Sequence, residues 1–208
     1  MTIGAAAAVG TAALLYCFPL FHVVSLDQAE QSSAAAEFDP VAFVEKFWTD
    51  QLIPGAAQAT DAAELLAIVK ENPEAARQAH GRSVGLGHVY YYFVAGSGRI
   101  VSVEKNRVGL SLRDGHEKAQ VSLEAGNIFG NAVRDGTGLL DVNDFANSRD
   151  FNALSAEING RIERHVLPTL RDNAAVGKTV RFVGCAEIMD EQTDLDPLPI
   201  VPFIVEMP

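Results

Sequence analysis

Three patterns in the sequence predict an α+β fold. Residues 3–24 are almost wholly apolar, residues 39–81 place apolar side chains at helical spacing between turn signals, and from Gly85 the spacing alternates as in strands. One more helical run interrupts the strands. The 208 residues therefore predict a membrane helix, several short helices, and a small sheet with one inserted helix.

The first element is a membrane anchor. Residues 1–26 carry no charged side chain, and a helix of about 20 apolar residues crosses a bilayer. A signal peptide needs a basic start, but no Lys or Arg precedes Lys46. We expect an uncleaved anchor, with cleavage after Ser25 and a buried core helix as the alternatives. Lipid attachment at Cys17 is unfavourable, because Tyr16 stands where a small residue is required.

Residues 27–37 are small and polar and predict a tether, which leaves residues 38–208 as a single extracytoplasmic domain. That length buries a core without disulfides, and Cys185 falls in a strand-like run as a small buried side chain. The net charge of −11 argues against nucleic acid and anionic membrane surfaces as partners.

Three helices are expected next. Asp39 is a good N-cap, and Pro40 suits the first helical position. The apolar face of this first helix comprises Val41, Val44, Phe47, Trp48 and Leu52. Residues 61–71 follow, with Asp61 and Glu64 spaced as a capping box, and Asn72 starts a third helix that stops at Gly81.

Six strands are expected after Gly85. Residues 89–94 and 99–104 form two of them, separated by the turn signal at 96–98. Residues 107–113 and 118–124 form a hairpin closed by a short loop at Asp114–Gly115. Residues 179–189 and 200–207 complete the set, and Pro202 puts the last strand at an edge or a bulge.

The inserted helix carries Ser148 or Asp150 as its cap and ends at Leu167–Pro168. Its apolar face comprises Phe151, Leu154, Ile158, Ile162 and His165. Short strands with a late helix are compatible with a small antiparallel β-barrel of the oligonucleotide/oligosaccharide-binding (OB) type. The preceding helices would then cover one end or one open edge of the barrel.

No motif predicts catalysis, a metal or a cofactor. The run Gly177–Thr179 follows a helix and precedes a strand, the reverse of a phosphate-binding loop. The five histidines are scattered, and residues 141–144 are out of register for a calcium loop. Neither a Gly-x-Ser-x-Gly elbow nor a reactive cysteine setting is present. We therefore expect a protein that is not an enzyme.

Residues 127–151 concentrate charged and aromatic side chains. A ligand site there would use Arg134, Asp135, Asp144 and Phe145, with charges fixing a polar, carbohydrate-like ligand and the ring stacking on it. The alternative is that Arg134 and Asp135 pair locally while the Phe residues close the barrel end. We favour this structural alternative.

Four stretches carry a family resemblance: FDPVAFVEKFWTDQLIP, GSGRIVSVE, IFGNAVRDG with VNDFANSRDFNALSAEIN, and VGKTVRFVG. They span residues 38–184 and resemble domain of unknown function family 2291, a bacterial family of predicted periplasmic lipoproteins. The resemblance implies a membrane-attached domain with a barrel-like β core, encoded in many cases beside sugar-type ABC transporters. It implies no established activity.

These observations predict a non-enzymatic accessory or binding protein of the bacterial inner membrane. The anchor is its contact with the membrane, the soluble domain faces the periplasm, and components of a sugar-type ABC transport system are its expected partners. The alternative function is a small-molecule binding domain for carbohydrate-like ligands, with or without weak hydrolytic activity.

Overall fold

The computed structural model describes residues 38–84, 88–113 and 115–207. The predicted anchor at 1–26, the tether at 27–37 and Cys17 lie outside these residues. Within the described ranges, no helix has both the length and the apolar character needed to span a bilayer.

Helices precede and interrupt the sheet. The six α-helices of five or more residues are α1 Pro40–Phe47, α2 Ala62–Glu71, α3 Pro73–His80, α4 Ala132–Gly136, α5 Ser148–His165 and α6 Leu167–Asn173 in the described ranges. A π-helical turn, Trp48–Leu52, continues α1. The strands are β1 Thr60–Asp61, β2 Gly81–Ser83, β3 Tyr90–Val103, β4 Arg107–Ser111, β5 Val121–Glu124, β6 Thr179–Ile188 and β7 Leu198–Glu206.

The predicted caps of the first three helices are confirmed. Asp39 accepts hydrogen bonds from the second and third residues of α1, and Asp61 does the same for α2. Asn72 caps α3, in which Pro73 takes the first position. On α1 and its continuation the predicted apolar face is buried except at Val41, whose side chain is 56% exposed.

The sheet is mixed, whereas the sequence analysis predicts an antiparallel one. β3, β4, β5, β7 and β6 pair in that order, and β6 also pairs with β3, so hydrogen-bonded ladders connect all five strands. β5 and β7 run parallel, as do β1 and β3. A parallel pair needs a crossover between its strands, which no hairpin pattern in the sequence reveals.

The prediction of two strands separated at residues 96–98 is wrong. β3 runs through this stretch as one strand and pairs with β6 from Tyr90 to Arg99. Gly96 faces Phe182 so closely that a Cβ would lie 2.9 Å from the ring. The glycine therefore allows close packing within a strand, where the sequence suggested a turn.

The predicted short loop at Asp114–Gly115 is also wrong, because β4 ends at Ser111 and β5 begins at Val121. Side chains replace ladder contacts at the start of this longer loop. The Gln120 side-chain oxygen accepts a hydrogen bond from the Leu112 N–H at 3.1 Å, and Ser111 Oγ donates to Arg113 O. In the sequence, the alternation of apolar residues extends beyond Ser111 and begins before Val121, so it predicts longer strands than the backbone pairing forms.

The crossover between β5 and β6 holds three α-helices, α4 to α6, where one was predicted. Asn147 caps α5 through the N–H of Asp150, so the cap is neither Ser148 nor Asp150 itself. Leu167–Pro168 starts α6 and does not end the helical region, since proline is well tolerated in the first turn of a new helix.

The strands supply most of the hydrophobic core. Tyr92, Ile100, Leu110, Leu123 and Phe182 fill it, each at most 1% exposed. The α2 and α3 helices cover this core with small and branched side chains, namely Ala62, Leu65, Val69 and Ala76. β7 has a register shift opposite Val183–Gly184, next to Pro202, which confirms the predicted bulge.

Candidate functional site

The predicted site residues Arg134 and Asp135 lie on α4 and are buried, each with 5% of its surface exposed. Arg134 Nε donates to Asp135 Oδ1 at 2.6 Å, and Nη2 donates to Oδ2 at 2.9 Å. Nη1 donates to Phe151 O at 3.3 Å and to Asn152 Oδ1 at 3.1 Å. The guanidinium carbon also lies 4.0 Å from the centre of the Phe151 ring. Protein groups therefore occupy all three guanidinium nitrogens.

Two further ionisable groups adjoin this pair. Burial raises the pKa of Tyr91 to about 12, and the charges of Glu187 and Asp135 add to the shift. Burial also raises the pKa of Glu187, an effect to which Asp135 contributes and which the backbone N–H of Asn131 opposes. Asp135, Glu187 and the neutral phenol of Tyr91 thus lie together beside Arg134.

Close packing of α4 on the sheet fixes this cluster. A Cβ on Gly136 would lie 2.9 Å from Cys185 Cβ on β6 and 3.3 Å from Tyr91 Cβ on β3. Ser155 Oγ on α5 donates to Asn131 Oδ1 at 2.8 Å, just before α4 begins. The short helix is therefore held against two strands and α5.

The other two predicted residues lie nearer the surface. Asp144 is exposed on a 3₁₀ turn, Val142–Asp144, that Asp141 caps. Phe145 is half-buried, with its ring centre 5.2 Å from that of Phe151 and 5.4 Å from that of Phe43. The aromatic contact through Phe151 connects Phe145 to Arg134, while Asp144 belongs to a separate turn. Ligand binding by these four residues stays a prediction.

A groove that the sequence analysis did not identify lies between α2 and the β4–β5 and β6–β7 loops. We call it the loop groove; its volume is about 460 Å³. Leu66, Val69, Pro73 and Leu195 supply its apolar walls. Its polar lining consists of Lys70, Arg113, His116, Lys118, Gln120, Glu191 and Asp196. These residues come from segments far apart in the sequence, so no local motif could mark them.

The charge of the loop groove is positive although the chain is acidic. Its two carboxylates are already paired, Glu191 with Arg77 at 2.9 Å and Asp196 with Lys118. Lys70 and Arg113 form no ion pair with any residue that the structure describes. An anionic group could therefore bind here without displacing an existing partner.

Two buried phenols lie near this groove. The rings of Tyr90 and Tyr92 contact each other edge-on at 5.3 Å, and Arg77 lies 5.7 Å above the Tyr90 ring. Neither phenolic oxygen makes a hydrogen bond of good geometry with a described residue, although the two hydroxyls interact with each other and Tyr90 also interacts with the Glu191 carboxylate. Burial raises the pKa of both phenols, and the charge of Glu191 adds to the shift in each. The groove thus adjoins a polar part of the core.

Metal-binding groups and the thiol of Cys185 were the remaining candidates for chemistry in the described ranges. No set of three or more His, Cys, Asp or Glu side chains there could hold a metal ion. Cys185 is fully buried, and burial raises the pKa of its thiol, which keeps it protonated and unreactive.

Comparison with known proteins supports the fold and the family. A family model described as "Predicted periplasmic lipoprotein (DUF2291)" matches residues 11–206. Among solved structures, the chain is similar to an OB-fold protein from Thermotoga maritima, with 28% sequence identity and a TM-score of 0.71. The match covers 82% of this chain and 99% of that one. No curated protein matches the chain. The family resemblance is confirmed, and so is the α+β class with an OB-fold structural relative. The predicted small antiparallel barrel is not, because the sheet is mixed and contains parallel pairs.

Proposed function

The chain belongs to the DUF2291 family of predicted periplasmic lipoproteins, and from this premise we propose that it acts by binding and not by catalysis. Its membrane-anchored domain faces the periplasm at the inner membrane. There it serves as an accessory protein to a sugar-type ABC transport system. In this location its ligands would be small molecules of the periplasm, and its partners would be membrane proteins of the transport system.

The loop groove is the observation that carries the proposal. Pockets that bind small molecules are concave, largely apolar and marked by a few polar groups that orient the ligand. The loop groove has this composition, with apolar walls from α2 and Leu195, and with Lys70 and Arg113 available for an anion. The ligand class that fits is a small anion with an apolar part, such as a medium-chain carboxylate or a phosphorylated molecule.

A thermal-unfolding screen of the full chain tests this function. The panel contains octanoate, glycerol phosphate, sugar phosphates, nucleotides and neutral sugars, each over a range of concentrations. A ligand at about 100 times its Kd adds about 2.7 kcal/mol to stability. For a chain of this size, that is a rise of about 5–10 °C in Tm. We expect part-apolar anions to raise the Tm more than neutral sugars do.

The variant Lys70→Glu with Arg113→Glu reverses the charge of the groove from positive to negative and should abolish the rise. The matched control is Lys46→Glu with Arg149→Glu, which makes the same charge change at exposed positions outside the groove lining. Equal responses of the two variants, or no response of the parent chain to any anion, would exclude the groove as the binding site. A periplasmic reporter fused after residue 207 tests the orientation separately.

A further inference from the structure

Phe129 is the most exposed large hydrophobic side chain in the described ranges, with 80% of its surface accessible. It lies between β5 and α4, in the segment at residues 125–130. A phenylalanine in water forgoes the free energy that its burial would supply. A flexible loop could turn such a ring inward, but a loop whose backbone is held in place cannot. The backbone on both sides of Phe129 is held in this way.

Hydrogen bonds from α6 hold the first half of this segment. The Arg171 guanidinium donates to the carbonyl oxygens of Ala125 and Gly126, the second at 2.8 Å. Each carbonyl precedes Phe129 by a few residues. A charged donor that spans two successive carbonyls fixes the direction in which the chain leaves β5.

The second half is held by α5. The Glu163 carboxylate accepts a hydrogen bond from the Ile128 N–H at 2.6 Å, and Asn159 donates to Gly130 O at 3.0 Å. The Ile128 side chain is buried, whereas the next side chain, Phe129, projects outward. Two helices therefore hold the backbone on both sides of the exposed ring.

A pocket of about 470 Å³ adjoins the ring, between this segment and the β3–β4 turn. Besides Phe129, its lining consists of Lys105, Asn106, Arg107, Glu124, Gly126 and Asn127. Arg107 and Glu124 lie opposite each other on neighbouring strands and pair at 3.1 Å. The pocket therefore combines one aromatic face with amide, carboxylate and cationic groups.

We infer that this pocket is a saccharide-binding site, which we call the Phe129 platform. A pyranose or furanose ring has an apolar C–H face that packs on an aromatic ring and hydroxyl groups around its edge. The Asn127 and Asn106 amides and the Arg107–Glu124 pair offer donors and acceptors for those hydroxyls. The platform shares no lining residue with the loop groove, so the two sites are separate.

A protein partner fits this surface less well. The centre of a protein interface is an apolar cluster depleted of charged residues. Around Phe129 every other side chain in the pocket lining is polar or charged, apart from Gly126. One ring among hydrogen-bonding groups matches the surface of a sugar better than the surface of a protein.

The variant Phe129→Trp in the full chain provides the probe. The native tryptophan, Trp48, is 9% exposed, so its emission serves as background and is measured on the parent chain. The detergent must have no sugar headgroup. The panel contains glucose, galactose, ribose, N-acetylglucosamine, maltose and chitobiose up to about 50 mM, because single-ring contacts give affinities in the millimolar range. We expect at least one of these to shift the emission of the introduced indole.

Isothermal titration calorimetry then measures the Kd of each further variant for that saccharide. Phe129→Ala should weaken binding about tenfold or more, Asn127→Ala should weaken it, and Phe129→Tyr should retain it. Met189→Ala is the control, since Met189 is 71% exposed and outside the platform lining. Unchanged binding by Phe129→Ala, or no emission shift with any saccharide, overturns the inference. Lys70→Glu with Arg113→Glu should leave saccharide binding intact, which separates this result from that for the loop groove.

Discussion

Arg134 and Asp135 are adjacent in sequence, yet they form a buried two-point ion pair with N–O distances of 2.6 and 2.9 Å. Neighbouring residues on a helix do not normally face each other. Here α4 is short, and the Arg134 side chain stacks on Phe151 with its fork directed back to Asp135. The local pairing considered in the sequence analysis is present, but inside the protein and not on a loop surface.

Arg134→Met should lower the free energy of unfolding by about 3–5 kcal/mol, because it leaves the Asp135 carboxylate buried without its partner. Urea unfolding followed by Trp48 fluorescence measures this change. The control is Arg164→Met, which breaks the exposed pair with Glu157 and should cost less than about 1 kcal/mol. A cost at Arg134 as small as at Arg164 would contradict a structural role for the buried pair.

Glu187 should make the protein less stable as the pH rises. Burial raises its pKa above the ordinary 4.5, so between 4.5 and the folded value the native state binds more protons than the unfolded state. The free energy of unfolding therefore falls with rising pH across that window. Glu187→Gln removes this dependence. Its stability relative to the parent chain should increase from pH 4.5 upward, and parallel pH profiles of the two chains would contradict the prediction.

Gly136 and Gly160 should respond oppositely to alanine. At Gly136 the new Cβ would lie 3.0 Å from Cys185 Sγ, and such overpacking costs about 1–3 kcal/mol. At Gly160, within α5, it meets only the flexible end of Arg164, so alanine should stabilise the helix by about 1 kcal/mol. Thermal unfolding of both variants tests this contrast.

Local signals predicted the elements whose contacts are local. The caps at Asp39, Asp61 and Asn72 bond to residues two or three positions away, so the sequence pattern contains both partners. The strands at 179–188 and 198–206 were predicted within two residues of their bounds, since alternation of buried side chains continues along each. Propensity and periodicity suffice where no distant residue decides the outcome.

Contacts between distant residues account for the errors. Gly96 signals a turn, but its pairing with Phe182 on β6 keeps β3 continuous. The loop groove joins residues from near position 70, near 115 and near 195, and neither its lining nor its free cations can be read from any one segment. The exposure of Phe129 depends on Arg171 and Glu163, which lie more than thirty residues further along the chain.

Tyr92→Phe tests the polar part of the core next to the loop groove. The Tyr92 oxygen is buried and makes no hydrogen bond of good geometry with a described residue, and an unsatisfied buried hydroxyl costs about 1–3 kcal/mol. Removing it keeps the ring and its contact with Tyr90. We therefore expect the free energy of unfolding to stay unchanged or to rise by about 1 kcal/mol, as measured by urea unfolding.

Val94→Ala is the matched control, because it removes apolar volume from the same buried strand and should cost stability. A loss above about 1 kcal/mol for Tyr92→Phe would contradict this prediction and show that the hydroxyl is bonded, either to the neighbouring Tyr90 hydroxyl or to an internal water.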